Sequence, residues 1–374
     1  MKFNDLSSQW EQIREKSLAG IDALGKRGDY IGGKAIQEFE KNFAEFCGSN
    51  FACGVSNGTD ALKIAFQIFD LGPMDLVVMP ANTFIADYLA LKNLPGFLPK
   101  VALVDHDPHF TLSMADLDQF LEQERANYEK VLVVAVHLYG HPCDLVSLKN
   151  LKEKYDLLVL EDCSQSHGTE CKEIKHASLG EISVWSLYPG KNLGALGDAG
   201  IITTDSEEVD SRAKMLRNYG SPKKYHYDEL GHNHRLDTIQ AIVLDEKLKL
   251  LKEWNLAKSK VAQRYFDGIT NLAISLPKIA SWCEFHSYHI FCVGVMGNRE
   301  SLMSHLESKG VPSLIHYPIP IHKTKIFQKS DLVVSSAMTD MLMDRIVSLP
   351  IHPFMSDEEI DSVIEAVNSW DYNS

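Results

Sequence analysis

The stretch VLVVAVHLYGHPCDLVSLKNLKEKYDLLVLEDC, residues 131–163, decides the fold class. It opens on the apolar run VLVVAVHLY, passes through the helical segment LVSLKNLKEKY and returns to a second apolar run, LLVLEDC. Neither run alternates apolar with polar residues. Continuous apolar runs of this length are expected of strands whose two faces are both covered by helices. Toward the N-terminus the same order repeats. FACGVS reads as a strand, NGTD as a turn and ALKIAFQIF as a helix, followed by DLVVMP (strand), NTFIADYLALKNL (helix), VALVDHD (strand) and SMADLDQFLEQE (helix). A βα repeat over residues 51–163 predicts an α/β fold with a mostly parallel, doubly wound sheet.

Upstream, AIQEFEKNFAEFCG places Ile36, Phe39, Phe43 and Phe46 on one helical stripe that Gly48 ends. Downstream, ISVWSLY and AGIITT read as two more strands. From about residue 240 the character changes. LDTIQAIVLDEKLKLLKEWNLAKSKVAQRYFDGI reads as one long amphipathic helical region, followed by the β stretch FHSYHIFCVGV and the helices RESLMSHLESKG and DEEIDSVIEAV. The expected division is a large domain over residues 1–245 and a smaller C-terminal α+β domain over 246–374. Without a repeat or a low-complexity linker, the two are expected to share a packed interface.

The chain has 374 residues, 45% apolar and 24% charged, the composition of a soluble globular protein with room for two domains. A formal charge of −14 argues against a nucleic-acid binder, which needs a basic face. Seven cysteines without close pairing suit reduced thiols in the cytosol. Cys163, His167 and Cys171 are the nearest approach to a metal cluster, but no second pair stands at finger-like spacing, so no metal is expected. MKFNDLSSQWEQIREK lacks the apolar core of a signal peptide, and VLVVAV is too short to span a membrane. A cytoplasmic protein without a membrane partner is expected.

Ligands of parallel α/β sheets gather beyond the carboxyl ends of the strands, and three segments there carry chemistry. In SNGTDAL, residues 56–62, Gly58 is followed by Thr59 and Asp60 at a helix start whose unpaired N–H groups suit a phosphate. A plain Asn-Gly turn with a helix cap fits that stretch equally well. In LLVLEDCSQSHG, residues 157–168, Asp162 ends a fully apolar strand, where a buried carboxylate needs a cation or strong donor. A protonated ring nitrogen and a structural arginine both qualify. Third, SLYPGKNLGALGDAG, residues 186–200, sets Lys191 five residues after Ser186, across a Pro-Gly turn, with glycines at 194, 197 and 200. Its glycine spacing excludes a dinucleotide fingerprint, and the absence of Ser or Thr after the lysine excludes a Walker loop. Together, a phosphate cradle, a strand-end carboxylate and a lysine 29 residues further on match the needs of pyridoxal 5'-phosphate: an anion site, a partner for the ring nitrogen and an amine for the aldehyde.

With these and further motifs in order, GDYIGGKAIQEFEKNFAEFCG, PANTFIA, VHLYGHPCDL, EDCSQSHG, LRNYGSPKKY, GHNHRLDTIQA, IHYPIPIH and SLPIHPFMSDEEID, the chain resembles the DegT/DnrJ/EryC1/StrS sugar aminotransferases, of aminotransferase fold type I, nearly end to end. The resemblance implies that Lys191 is the Schiff-base lysine and Asp162 the partner of the pyridine nitrogen. Gln165 would bond the ring hydroxyl, and Phe84 would stack on the ring face. Gly58, Thr59, Asp60 and Ser186 would lie at the phosphate. In GxNxRLD, Asn233 would reach the neighbouring subunit's site with Arg235 nearby, which implies an obligate homodimer with shared sites. Cys163, Ser164 and Ser166 stand where the family often has alanine, His232 where it often has tyrosine and Leu187 where it often has phenylalanine. None of these removes a chemical role.

The implied reaction takes an amino group from L-glutamate and places it on a nucleotide-linked keto sugar, Lys191 serving as both tether and general acid/base. SPKKYHY is a local basic patch, and Lys223, Lys224 and Arg235 are candidates for the sugar nucleotide's diphosphate; a solvated loop fits the two lysines as well. Tyr188, His316, Tyr317 and His322 are candidates for sugar contacts, with packing in the small domain the alternative for His316 and Tyr317. YPGKNLGALGDAG is more similar to members that aminate 3-keto sugars, which makes a dTDP-linked 3-keto-6-deoxyhexose the expected acceptor. The rivals are a 4-keto sugar aminotransferase, a sugar 3-dehydratase and a cofactor-binding relative without catalysis. The dehydratases carry histidine in place of the lysine, so Lys191 argues against them.

Overall fold

A computed structural model describes residues 1–371. The chain opens on a helix that the sequence reading did not assign, α1 (Leu6–Arg27), then α2 (Lys34–Cys47). There follow β1 (Phe51–Val55), α3 (Gly58–Phe69), β2 (Leu76–Pro80), α4 (Ala86–Lys92), β3 (Lys100–Val104), α5 (Met114–Glu124), β4 (Val131–Val136), α6 (Leu145–Tyr155) and β5 (Leu158–Asp162). Next come the short β6 (Glu170–Cys171), β7 (Ile182–Ser186), β8 (Gly200–Thr204), α7 (Glu207–Leu216), α8 (Thr238–Leu248) and α9 (Leu251–Gly268). The C-terminal part holds β9 (Ile274–Ser275), β10 (Cys283–Phe285), β11 (Phe291–Val295), α10 (Arg299–Ser308), β12 (Leu332–Val333), α11 (Ala337–Leu342), β13 (Ile346–Leu349) and α12 (Asp357–Asn368).

Eight strands form the large sheet in the order β1-β8-β7-β5-β4-β2-β3-β12. All pairs from β7 to β12 are parallel, whereas β8 runs antiparallel to both β1 and β7. The reversal has a local cause. Residues 187–199 contain no helix to carry a crossover, so the chain turns back beside β7. Burial on both faces explains the apolar runs. On β4, Leu132, Val134 and Val136 pack with α3 and α4 residues such as Ile64 and Leu91, while Val131, Val133 and Ala135 pack on the opposite face with Leu121 and Leu148 of α5 and α6.

Of the stripe on α2, Ile36, Phe39 and Phe43 are buried with Trp185, and Phe46 is partly exposed. The long helical region after residue 236 is two helices. A turn at Lys249 and Leu250 separates them, and α8 lies against α1 and α2 while α9 packs on α12.

The three-stranded sheet β13-β11-β9 packs through Phe291, Val293 and Val347 onto α9, α10 and α12. The other face of that sheet, with Cys292 and Ile346, joins the core of the large sheet. β12 also returns to the large sheet beside β3, anchored by buried Asp331, which accepts hydrogen bonds from Tyr88 Oη (2.7 Å), Lys92 Nζ (2.9 Å) and the Val101 N–H (2.9 Å).

Candidate active site

Strands β1, β2, β4, β5 and β7 all end at one edge of the sheet, and the segments leaving them supply the site. In register, Gly200 faces Val55 of β1 on one side and Ser186 of β7 on the other. This brings the start of α3 beside Ser186. Asn57 caps the helix by accepting the Asp60 N–H (2.8 Å), and a Cβ on Gly58 would stand 2.7 Å from Ser186 Cβ. Only glycine leaves that space open, with the free N–H groups of the first helical turn on one side and the Ser186 hydroxyl on the other. The Asp60 carboxylate is already engaged by Ser56 Oγ (2.5 Å), Asn57 Nδ2 (2.7 Å) and His234 Nδ1 (3.1 Å), so Asp60 contributes to the cradle through backbone and helix placement.

Asp162 closes β5, nine-tenths buried, and accepts the Ser164 N–H (2.9 Å). Ser164 Oγ accepts the Ser186 N–H (3.0 Å), which ties the segment after β5 to the end of β7. Beyond Ser186, the Lys191 N–H donates to Tyr188 O (2.8 Å) and the Ala195 N–H to Leu187 O (2.8 Å). A Cβ at Gly194 would lie 2.3 Å from Pro189 O, so the tight loop around Lys191 requires glycine there. Burial pushes the Lys191 amine down to about 8, against the opposing pull of Asp162 and Asp87. Around it the imidazoles of His167, His289 and His316 are held neutral, first by burial and then by the Lys191 charge.

The far wall joins two loops to the C-terminal segment. Gln165 Oε1 accepts the Tyr139 N–H (2.9 Å), and Gln165 Nε2 donates to Tyr317 Oη (3.1 Å). The Tyr317 ring lies 5.3 Å from that of Phe84, and Tyr139 Oη donates to His316 O. His316 Nδ1 is 2.8 Å from Ser348 Oγ.

Asp87 and Asn82 were not assigned from the sequence. Asp87, in the first turn of α4, is fully buried. It accepts a hydrogen bond from Thr83 Oγ1 (2.9 Å) and is in contact with Asp162. Burial and the Asp162 charge push its carboxyl well above the usual range. Asn82 is buried with both amide atoms unpartnered, as is Asp87 Oδ1. The available signal was an acidic residue within the apolar helix ADYLALK.

The side chains of the other assigned residues are exposed or engaged by other partners. Lys223 and Lys224 are exposed on the 221–230 loop. Asn233 is exposed and bridges Asn218, while Arg235 donates to Asn218 Oδ1 (2.8 Å) and lies 5.2 Å over the Tyr219 ring. His322 Nε2 engages Asp340 (3.0 Å), and Tyr188 is exposed. Cys163 sits with His137 and His176 rather than with Cys171, and both His137 ring nitrogens are already committed, to the Cys143 N–H and to Glu161. A cleft of about 620 Å³ lies elsewhere, among Phe46, His176, Trp185 and Leu256.

An amine of lowered proton affinity, a strand-end carboxylate and a helix-start cradle thus lie along one edge of a mostly parallel sheet. Residues 11–368 match the DegT/DnrJ/EryC1/StrS aminotransferase family, and the chain belongs to it. It is a sugar aminotransferase of a family that in general depends on pyridoxal phosphate. Over 370 residues, covering 99% of both chains, it is 40% identical to dTDP-3-amino-3,6-dideoxy-alpha-D-galactopyranose transaminase of Aneurinibacillus thermoaerophilus. It is 35% identical to dTDP-3-amino-3,4,6-trideoxy-alpha-D-glucose transaminase of Streptomyces venezuelae, covering 98% of this chain and 95% of that one. The solved structure of S. venezuelae DesV in complex with a ketimine intermediate superimposes with a TM-score of 0.90 at 33% identity, covering 99% of this chain and 98% of that one.

Proposed function

We propose that the chain transfers an amino group from L-glutamate to a dTDP-linked 3-keto-6-deoxyhexose, giving a dTDP-3-amino-3,6-dideoxyhexose, with pyridoxal phosphate held at the carboxyl edge of the large sheet. The observation that carries this reading is that Lys191, in the loop after β7, feels the charge of Asp162 at the end of β5, beside a cradle that only a glycine at 58 leaves open. The unpartnered polar atoms of Asn82 and Asp87 fit a further polar group at the same place. Support for the acceptor comes from the two relatives above, both of which are dTDP-3-amino sugar transaminases by name.

In this reading the free N–H groups at Gly58 and Thr59 and the Ser186 hydroxyl hold the phosphate, Asp60 supports them from the capped first turn, and Asn233 of the partner subunit completes the cradle. Asp162 keeps the ring nitrogen protonated, Gln165 bonds the ring hydroxyl and Phe84 covers one face. When bound, the cofactor supplies an electron sink for the substrate carbon that loses a proton. Lys191 Nζ is the covalent anchor. Released as a neutral amine, it would take the proton from the substrate carbon that bears the nitrogen and later give it up as a general acid, a role that its lowered proton affinity favours near neutral pH. Tyr188, His316 and Tyr317 face the sugar, and Lys223, Lys224 and Arg235 suit its diphosphate. A homodimer accounts for the exposure of Phe84, Tyr188 and Tyr219 around the site. A cytoplasmic location belongs to the same reading; among the described residues no helix is long and apolar enough to cross a membrane.

The test is a visible spectrum through both half-reactions. L-glutamate should bleach the yellow protein, and dTDP-linked 3-keto and 4-keto 6-deoxyhexoses are then offered separately. Colour restored by the 3-keto sugar alone supports the proposal. Restoration by the 4-keto sugar alone moves the amine to the other carbon. A protein that stays colourless after cofactor is added refutes the role of Lys191.

A further inference from the structure

Beneath the Lys191 loop the fold buries two lysines that form no ion pair among the described residues. Lys247 on α8 is 2% exposed, and its Nζ donates to Gly194 O (2.6 Å) and Gln9 Oε1 (3.2 Å). Lys258 on α9 is 6% exposed, and its Nζ donates to Asn192 Oδ1 (3.1 Å). Buried ammonium groups normally meet a carboxylate. Here their acceptors are neutral oxygens, and most belong to the loop that carries Lys191. Burial accordingly pushes Lys258 down to about 7 and Lys247 to about 8. An amine retains N–H donors in either protonation state, so these bonds do not require the charge.

Asn255 lies one turn before Lys258 on the same face of α9. Its Nδ2 donates to His167 O (2.8 Å), in the segment that follows Asp162, and its Oδ1 accepts from Asn192 Nδ2 (2.9 Å). Asn192 Nδ2 donates also to Ser287 O (2.7 Å). The side chain next to Lys191 is thus held by three groups, and one helix face grips both segments of the site. Lys191, Asn4, Gln9 and Trp254 line the same small cleft as Lys258. The ionisable groups that feel Lys258 are His167, His286, His289 and His352, all held neutral chiefly by burial.

We infer that Lys258 is a positioning residue for Lys191: with Asn255 it clamps the segment after Asp162 to the loop of Lys191 through Asn192, and so fixes where the amine points relative to the carboxylate. The inference rests on the function proposed above and gives a third element of the fold, α9, a part in the chemistry of a site built from sheet ends. The link runs through hydrogen bonds, so a donor of similar reach can replace the lysine and an apolar side chain of similar size cannot.

The experiment uses the purified full chain, stripped of cofactor and mixed with pyridoxal 5'-phosphate. It reads the rate of attachment by absorbance, the attachment site by borohydride trapping and peptide mass, the visible circular dichroism of the bound chromophore and the urea midpoint. Lys258→Met should slow attachment about tenfold, the scale of one lost hydrogen bond, and weaken the dichroism that reports a fixed orientation; Asn192→Leu, which also loses the bonds to Asn255 and Ser287, should slow it at least as much. The double variant should be no slower than Asn192→Leu alone, because that substitution already removes the acceptor of the Lys258 bond. Lys258→Arg should restore most of the rate and the dichroism. A lower urea midpoint in Lys258→Met with wild-type attachment and dichroism would make the lysine a stability element only and overturn the inference. Additive losses in the double variant would overturn it also. A wild-type chain that traps no cofactor at Lys191 overturns the proposed function and this inference together, whereas trapping in every variant at one rate overturns this inference alone.

Discussion

The two faces of β5 carry adjacent carboxylates with opposite surroundings. Glu161 is fully buried and accepts four hydrogen bonds, from His137 Nε2 (3.1 Å) and from the N–H groups of Ala177 (3.1 Å), Leu179 (2.8 Å) and Gly180 (2.8 Å). Asp162, the next residue, accepts the Ser164 N–H and lies against a second carboxyl, Asp87, with the unpartnered amide of Asn82 among the segments of the same sheet edge. The Glu161 carboxylate has donors matched to its charge, whereas beside Asp162 the polar atoms of Asn82 and Asp87 Oδ1 are left unmatched. Since folded proteins satisfy nearly all buried polar groups, those unmatched atoms fit the cofactor proposed to lie against Asp162.

This contrast can be broken from either side. Lys191→Ala should have the largest effect, a loss of amino transfer of about 10⁴-fold or more with the urea midpoint nearly unchanged, measured by coupled product assay and denaturation. Glu161→Ala should act in the opposite sense. Leaving His137 and three N–H groups without their acceptor should cost about 3–5 kcal/mol in urea unfolding. The folded fraction should still trap cofactor at Lys191. Asp162→Ala should reduce turnover by about 10²–10³-fold, the scale of removing one charge-stabilising partner, at little cost in stability.

A pH series sharpens the comparison further. An amine lowered to about 8 is roughly one-tenth neutral at pH 7, against a few parts in ten thousand for an ordinary lysine. Attachment of pyridoxal 5'-phosphate to the cofactor-free chain should therefore rise about tenfold per pH unit below 8 and level off above it. A profile still climbing steeply at pH 10 would show that the amine is not depressed. The smallest expected effect is that of Gly58→Ala. Its added Cβ against Ser186 should weaken cofactor affinity about tenfold, read by equilibrium titration, through local overpacking.

Much of this site was legible in the chain. Lys191, Asp162, Gly58 and Ser186, to which the proposed function gives roles, stand in short motifs of restricted residue type, so each could be named before its neighbours were known. Asp87 was not, because its motif is a helix of otherwise ordinary composition; it becomes unusual only when β5 sets Asp162 against it. Lys247 and Lys258 likewise look like charged positions of an amphipathic helix. The turn at Lys249 and Leu250 separates α9 from α8, and only in the folded chain are the two amines seen beneath the Lys191 loop. The reversed direction of β8 was missed for a similar reason, since an apolar run of five residues states that a strand is buried and not which way it runs.

The sequence by itself determined the α/β class, the succession of buried strands and the family, and it named the lysine and carboxylate on which the proposed function rests. Those features depend on local periodicity and on short motifs. Only the tertiary structure decided which polar groups near the strand ends find partners, that a second carboxyl faces Asp162 and that α9 grips both segments of the proposed site. Burial and hydrogen bonding are properties of residues brought together from distant parts of the chain, and no local pattern specifies them.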